Sequence, residues 1–344
     1  MKVGVVGATG MVGEVFMDIL DRRKFPVTEL RPFASERSEG LKVKSCGREW
    51  PVTSLREGCF DGLDLVFFSS GDEISREWAP KAVKAGAFAI DNSAAFRMNP
   101  DYPLIVPEAN GARLPSRNAP TIIANPNCST IQLVVVLNAI KKFGLADVRV
   151  STYQSVSGAG KAGRNELLMQ LNEELSLNNV ELALRGHGDT KSATSPKTFP
   201  HDIAFNCIPQ IGSFNEQGFC TEEIKIMNET RKILEMPNLK VSAFTVRVPT
   251  LNSHSETVWV TFNQTVSRDE MMSALEDGPG IKLVAQRQPS DYPTARMASG
   301  QDPVYVGRVH QDLNDPHTWL LWIVADNILK GAALNGLQIA ERIF

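Results

Sequence analysis

The chain has 344 residues, 42% hydrophobic and 22% charged, with a formal net charge of −3 and five cysteines. That length predicts two domains, and the near-neutral balance gives no general attraction to nucleic acid or to an anionic membrane. The longest apolar runs, such as LVVVL at 133–137, are far too short to span a bilayer; an odd set of widely spaced cysteines predicts reduced thiols.

The first residues, MKVGVVGATG, already read as a strand and a glycine turn, so no signal peptide is expected and a cytoplasmic location is. A strand over 2–6 passes through GATGMVG into a helix, where Val12, Val15, Phe16 and Ile19 recur at helical spacing. Gly7, Gly10 and Gly13 stand in the strand–turn–helix setting that a diphosphate requires. Glycine allows close backbone approach, and the first helical amides and the dipole face the negative charge. A purely structural glycine turn is the competing reading.

A second strand near 29–34 leads into FASERSEG. There Ser35, Arg37 and Ser38 offer donors and a positive charge suited to a 2′-phosphate, whereas an NAD site would use an acid such as Glu36 or Glu39. NADP is therefore expected over NAD. LDLVFFSS (63–70) reads as a buried strand, EWAPKAVKAG as a helix ending at Gly86, and AFAIDNS as a further strand. This alternation predicts an α/β chain whose N-terminal part is a Rossmann-like, doubly wound parallel sheet.

ANPNCSTIQL (124–133) places a cysteine at the polar doorway of an apolar run. Ile131, Val134, Val135 and Asn138 fit a helix whose first turn holds Cys128, although the valine run alone could be a strand. Free amides and the dipole would lower the thiol pKa, and Asn127 could donate to an oxyanion. A chance cysteine near a helix start is the alternative.

After about residue 150 the texture changes. DVRVSTYQSVSG reads as a strand running into a Gly-rich loop, NELLMQLNEELS as a helix, and roughly 178–205 as irregular. KVSAFTVRVP (240–249), ETVWVTF (256–262), DPVYVGRVHQDL and TWLLWIVADN read as strands of a mostly antiparallel sheet in an α+β domain, and DNILKGAALNGLQIAERIF as a helix. The domain boundary is expected at Asn127, giving 1–127 and 128–325, with 326–344 returning to the first domain. SGAGKAG (157–163) lacks the glycine and the Ser or Thr of a P-loop and reads as a flexible glycine loop. Arg247 could grip a carboxylate and His254 could exchange protons near neutral pH; taken alone, His254 is more often a loop or core histidine and Arg247 a surface charge. Cys46, Cys59, Cys207 and Cys220 read as structural thiols, and His187, His201, His310 and His317 as surface or packing residues. No C-x-x-C or H-x-x-x-H pattern is present, so no metal is expected.

Taken in order, VGATGMVG, FASERSEG, DNSAAFRM, NPNCSTIQ, TYQSVSGAG, FNCIPQIG, TEEIKIMNETRKIL, VRVPTLNSHSE and DNILKGAALN resemble the bacterial aspartate-semialdehyde dehydrogenase family over essentially the whole chain. Met11, where that family commonly has alanine, and Gly212, where aspartate is frequent, are minor departures. The resemblance implies an NADP-dependent enzyme interconverting 4-phospho-L-aspartate and L-aspartate 4-semialdehyde with inorganic phosphate, in lysine, threonine, methionine and diaminopimelate biosynthesis. It also implies a homodimer or a dimer of dimers, built through the second domain. By the same resemblance Cys128 is the thioester-forming nucleophile, His254 the acid–base residue, Gln154 a substrate-orienting residue and Arg247 the carboxylate ligand. Glu222, with Glu223 as the competing assignment, binds the substrate amine, and Arg97 and Lys225 bind phosphate. Thr9, Gly10, Met11, Val12, Arg37, Ser38, Ser157, Gly158 and Asn327 line NADP. The rival readings are an N-acetyl-glutamyl-phosphate reductase, whose acetylated substrate would have no use for Glu222, and a non-catalytic NADP-binding homologue.

Overall fold

The computed structural model describes residues 1–175 and 196–344. His187 and most of the irregular stretch expected at 178–205 lie outside them.

Five strands build the first sheet: β1 (Lys2–Val6), β2 (Glu29–Phe33), β5 (Leu65–Phe68), β6 (Phe88–Asp91) and β7 (Ile122–Ala124). They run parallel in the order β2-β1-β5-β6-β7. A short hairpin, β3 (Lys42–Ser45) with β4 (Arg48–Pro51), stands beside them and was not anticipated. Because both faces of a parallel sheet are covered, its strands are apolar without alternation: Leu65–Phe68 is buried throughout. On one face, the helix Met11–Arg22 and the C-terminal helix Leu334–Ile343 pack over Val3, Val5, Phe67 and Ile90. The helix Asp72–Lys84 covers the other face through Ala79 and Ala82. It begins before the stretch that reads as helical, since Asp72 and Glu73 suit a helix N-terminus.

Six strands form the second sheet, in the order β11-β12-β13-β10-β8-β9. They are β8 (Leu145–Gln154), β9 (Lys240–Arg247), β10 (His254–Phe262), β11 (Ile281–Leu283), β12 (Val304–Gln311) and β13 (Thr318–Ala325). The sheet is mixed: β8–β9 and β11–β12 are parallel, the other pairs antiparallel. Alternation along β10 turns His254, Glu256, Val258 and Val260 inward.

Cys128–Ile140 is a helix, and residues 129–137 of it are buried on every side. Such a helix cannot lie on a surface; it is the centrepiece of a hydrophobic cluster that also contains Val66, Ala89, Val258 and Ile323. One apolar core therefore runs without a break from the first sheet to the second. SGAGKAG is not a loop: Val156–Ala159 forms a 3-10 turn and Gly160–Glu174 a helix. The final segment opens with a π-turn, Leu329–Ala333, before becoming α-helical.

Candidate active site

Where β7 gives way to the central helix, Asn127 caps the helix with its side-chain oxygen, accepting from Ser129 N at 3.0 Å and Thr130 N at 3.2 Å. Cys128 is the first helical residue and is partly exposed to a cavity of about 870 Å³. That cavity also receives Gly10, Met11, Val12, Arg97, Asn127, Gln154, Ser157, Gly158, Glu222, Lys225, Arg247 and Asn327. Residues scattered over more than 300 positions of chain thus meet at one cleft between the two sheets.

The two acids TEE divide their work. Glu223 spends its carboxylate on the fold, accepting from Cys220 N at 2.8 Å and Thr245 N at 3.0 Å. Glu222 faces the cavity, accepting from Asn127 Nδ2 at 2.8 Å and Gln154 Nε2 at 3.1 Å, with Lys225 Nζ 3.7 Å away. Burial opposes its ionisation, but Lys225 and the two amides outweigh that and hold its pKa below the usual carboxylate value. Arg247 ends β9, buried, and donates to Ser155 O at 2.7 Å. Gly158 lies against it: a Cβ there would stand 2.7 Å from Arg247 Nη1 and 3.2 Å from His254 Nε2. Only a glycine leaves both groups room.

Two expectations about the chemistry are corrected. The helix start does not leave Cys128 with a lowered pKa; burial first, then the charge of Glu222, push it up to about 12, outweighing Arg247, Arg97 and the Ser129 amide. Nor does His254 titrate near neutrality. It is fully buried, and burial and then Arg247 depress its pKa well below the ordinary value. Its Nδ1 accepts from Ser155 N at 3.0 Å, which places the ring proton of the neutral imidazole on Nε2. That Nε2 has no partner among the described residues. Asn127 is likewise more committed than the sequence suggests, since one proton of its amide goes to Glu222.

Arg97 is buried and donates to Asn125 O, Asn92 O and Glu229 Oε1 at 2.9, 2.9 and 3.1 Å. Three of its five N–H groups are engaged and two remain. Glu229 also accepts from Asn127 N at 2.7 Å, tying the arginine to the residue before the cysteine. Sequence reasoning missed Glu229; a carboxylate seven positions, two helical turns, past Glu222 was its only signal.

The glycine turn fits a dinucleotide. Gly7 has φ +86°, and a Cβ on it would come within 2.9 Å of Ser69 O. Gly7 N and Ala8 N bond Phe33 O at 2.9 and 3.0 Å, which sets the end of β2 beside the turn. Gly10 caps the following helix with no side chain in the way. Asn327, on the cavity lining, fixes its Oδ1 with Ser155, Ser157 and Ser253, and its buried Nδ2 has no partner among the described residues. Ser35, Arg37 and Ser38 are outside the cavity on the exposed turn after β2. Arg37 makes no ion pair among the described residues, whereas Glu39 is held by Arg56 and Ser54. Thr9 stays at the rim, its carbonyl accepting from Lys161 Nζ at 2.8 Å; Lys161 also pairs with Glu14 at 2.7 Å. Lys161, within SGAGKAG, thus straps the second domain to the turn. Among the described residues no group of His, Cys, Asp and Glu could hold a metal ion.

Comparison with known proteins matches the fold. The family model described as semialdehyde dehydrogenase, NAD binding domain, matches residues 2–116, and the one described as semialdehyde dehydrogenase, dimerisation domain, matches residues 137–330. Aspartate-semialdehyde dehydrogenase of Aquifex aeolicus is 44% identical, across 99% of this chain and 97% of its own. That of Bacillus subtilis is 42% identical across 100% and 97%. The crystal structure of aspartate semialdehyde dehydrogenase II from Vibrio cholerae, complexed with ASA, superposes with a TM-score of 0.90 at 42% identity, covering 99% of this chain and 97% of that one. With both of its domains and its full length matched, the chain belongs to the aspartate-semialdehyde dehydrogenase family.

Proposed function

We propose that the protein catalyses the reversible, NADPH-dependent reductive dephosphorylation of 4-phospho-L-aspartate to L-aspartate 4-semialdehyde. One observation carries the reading: a cysteine at a helix start shares its cleft with an ionised, cavity-facing Glu222 and a buried Arg247. Those are the charges an amino acid's ammonium and carboxylate seek.

In this reading Cys128 Sγ attacks the acyl carbon and forms a thioester, splitting one difficult exchange into two easier ones. The thiol proton leaves with the dianionic phosphate as hydrogenphosphate, so the step balances without prior ionisation. Arg97 and Lys225 receive that phosphate: the first offers its two remaining N–H groups, the second a half-exposed ammonium. Gln154 and Asn127 hold Glu222 in place for the substrate amine. NADPH, when bound, supplies hydride to the thioester carbonyl. Gly7, Gly10, Met11, Val12, Ser157, Gly158 and Asn327 are assigned to holding it, with Thr9 at the rim and Ser35, Arg37 and Ser38 at its 2′-phosphate. His254, neutral with its proton on Nε2, serves as the donor that stabilises negative charge on substrate oxygen and on the departing sulfur, and a proton from water then returns Cys128 to the neutral thiol.

We place the domain division at Asn127, with 326–344 assigned to the cofactor domain. A homodimer through the second domain, or a dimer of dimers, and a cytoplasmic location complete the reading. Supporting these are the dimerisation-domain match and five free cysteines. No helix among the described residues is long and apolar enough to cross a membrane.

The test is NADPH formation from semialdehyde, NADP+ and phosphate, run beside N-acetyl-glutamate semialdehyde. Activity on the acetylated aldehyde alone defeats the assignment. Undiminished turnover by Cys128→Ala would defeat the thioester, and no turnover of either aldehyde by the wild-type protein would favour the non-catalytic alternative.

A further inference from the structure

Cys128 is held from two sides. Before it runs Ala124–Asn127; against it packs the π-turn, where a Cβ on Gly331 would stand 2.9 Å from the cysteine Cβ and 3.2 Å from its Cα. The turn is set by two i to i−5 bonds, Gly331 N to Asp326 O at 2.9 Å and Ala333 N to Ile328 O at 3.0 Å. Isolated π-turns within helices recur at functional positions because they displace one residue from the regular register.

Both sides rest on one buried polar chain. Lys330, 1% exposed, donates to both oxygens of Glu108 at 2.8 Å and to Gln338 Oε1 at 2.6 Å, with Asn335 Oδ1 3.4 Å away. Asn335 Nδ2 donates to Asn125 Oδ1 at 2.7 Å, and Asn125 Nδ2 donates to Ala332 O, inside the π-turn, at 3.1 Å. The chain therefore links the lead-in to the cysteine with the backbone behind it. A lysine inside ILKGAAL is an expensive way to fill a core, since burying an ion pair is often no more stabilising than burying apolar residues of similar volume.

We propose that the Glu108–Lys330 pair, acting through Asn335, Asn125 and Gly331, is a positioning device for Cys128. The proposal rests on Cys128 being the nucleophile. A misplacement of about 1 Å costs on the order of 100-fold in rate, so a loosened π-turn acts on kcat while the substrate ligands Arg247 and Glu222 stay in place.

The test uses the full-length protein with Glu108→Leu/Lys330→Met, which removes both charges together, and separately Gly331→Ala. Thermal midpoint, kcat and KM for the semialdehyde, and the rate of Cys128 alkylation by iodoacetamide are measured. The double variant is expected to unfold cooperatively, lose about 10- to 100-fold in kcat with KM within about 3-fold, and show an alkylation rate changed at least about 5-fold. A folded double variant with wild-type kcat and alkylation overturns the proposal. Should that variant fail to fold, Gly331→Ala decides: altered alkylation and kcat support the proposal, and wild-type values for both overturn it. Alkylation is independent of turnover, so a wild-type protein inactive on the semialdehyde would sink the functional reading while leaving this one measurable.

Discussion

Glu222→Gln should make Cys128 more reactive and the enzyme worse. With its pKa pushed up to about 12, the thiol is almost wholly protonated at pH 7.5. Glu222 is the second contributor to that elevation, after burial. Glutamine keeps an oxygen to accept from Asn127 and Gln154, so the substitution removes charge with little change of shape. Removing a neighbouring like charge lowers a pKa by about one to two pH units. The thiolate population then rises about 10- to 100-fold, and its lower basicity gives back about half of that on a logarithmic scale. Alkylation by iodoacetamide at pH 7.5 should accelerate about 3- to 10-fold. At the same time kcat/KM for the semialdehyde should fall about 30- to 100-fold, from loss of a charge-assisted hydrogen bond to the ammonium. Unchanged or slower alkylation in Glu222→Gln would refute the electrostatic account of the thiol.

Arg247→Lys should cost at least about 10-fold in kcat/KM, because an ammonium cannot reproduce the planar fork; initial rates against semialdehyde concentration test this. Arg37→Ala should raise KM for NADP+ about 10-fold and leave NAD+ kinetics unchanged; an equal effect on both would remove Arg37 from the 2′-phosphate. Buried His254 has a folded pKa below its unfolded one. Its contribution to stability is thus complete above about pH 6.5 and is lost at about 1.4 kcal/mol per pH unit as the unfolded chain takes up the proton; His254→Asn should flatten that acid limb in urea titrations. Glu256 behaves oppositely. Burial raises its pKa well above the ordinary value, so stability falls as pH rises above about 4.5 while the unfolded carboxyl ionises. Glu256→Gln should raise the thermal midpoint at pH 8 more than at pH 4, and an equal change at both would contradict a neutral carboxyl.

The sequence was most informative where a local rule and a chemical need coincide. The strand–GATGMVG–helix unit, the continuous apolar strands and the polar entrance at Cys128 each carried their own signal. Three things were not legible. The state of the thiol and of His254 depends on burial beneath Gly158 and beside Glu222, which no linear spacing reveals. Glu222 and Glu223 are indistinguishable as letters and separate only when Cys220 and Thr245 come to hold one of them. Lys330 carried a mark, a charge inside an apolar helix, but its partner Glu108 lies 222 residues away.

The anchoring of Glu223 has a consequence for selectivity. By bonding the amide of Thr245, it pins the start of the Glu222 helix to β9 two residues before Arg247. In the proposed function, the negative and positive receptors of the cleft are therefore joined through one hydrogen-bonded frame, and their separation would act as a ruler for the distance between ammonium and carboxylate. A ligand whose amine is one carbon further from its carboxylate spans the wrong length. An N-acetylated one offers no positive end, and leaves a buried carboxylate facing an uncharged amide. Selectivity in that reading is a measurement of charge spacing, set by Glu223, a residue that joins strand to helix and that the substrate never touches.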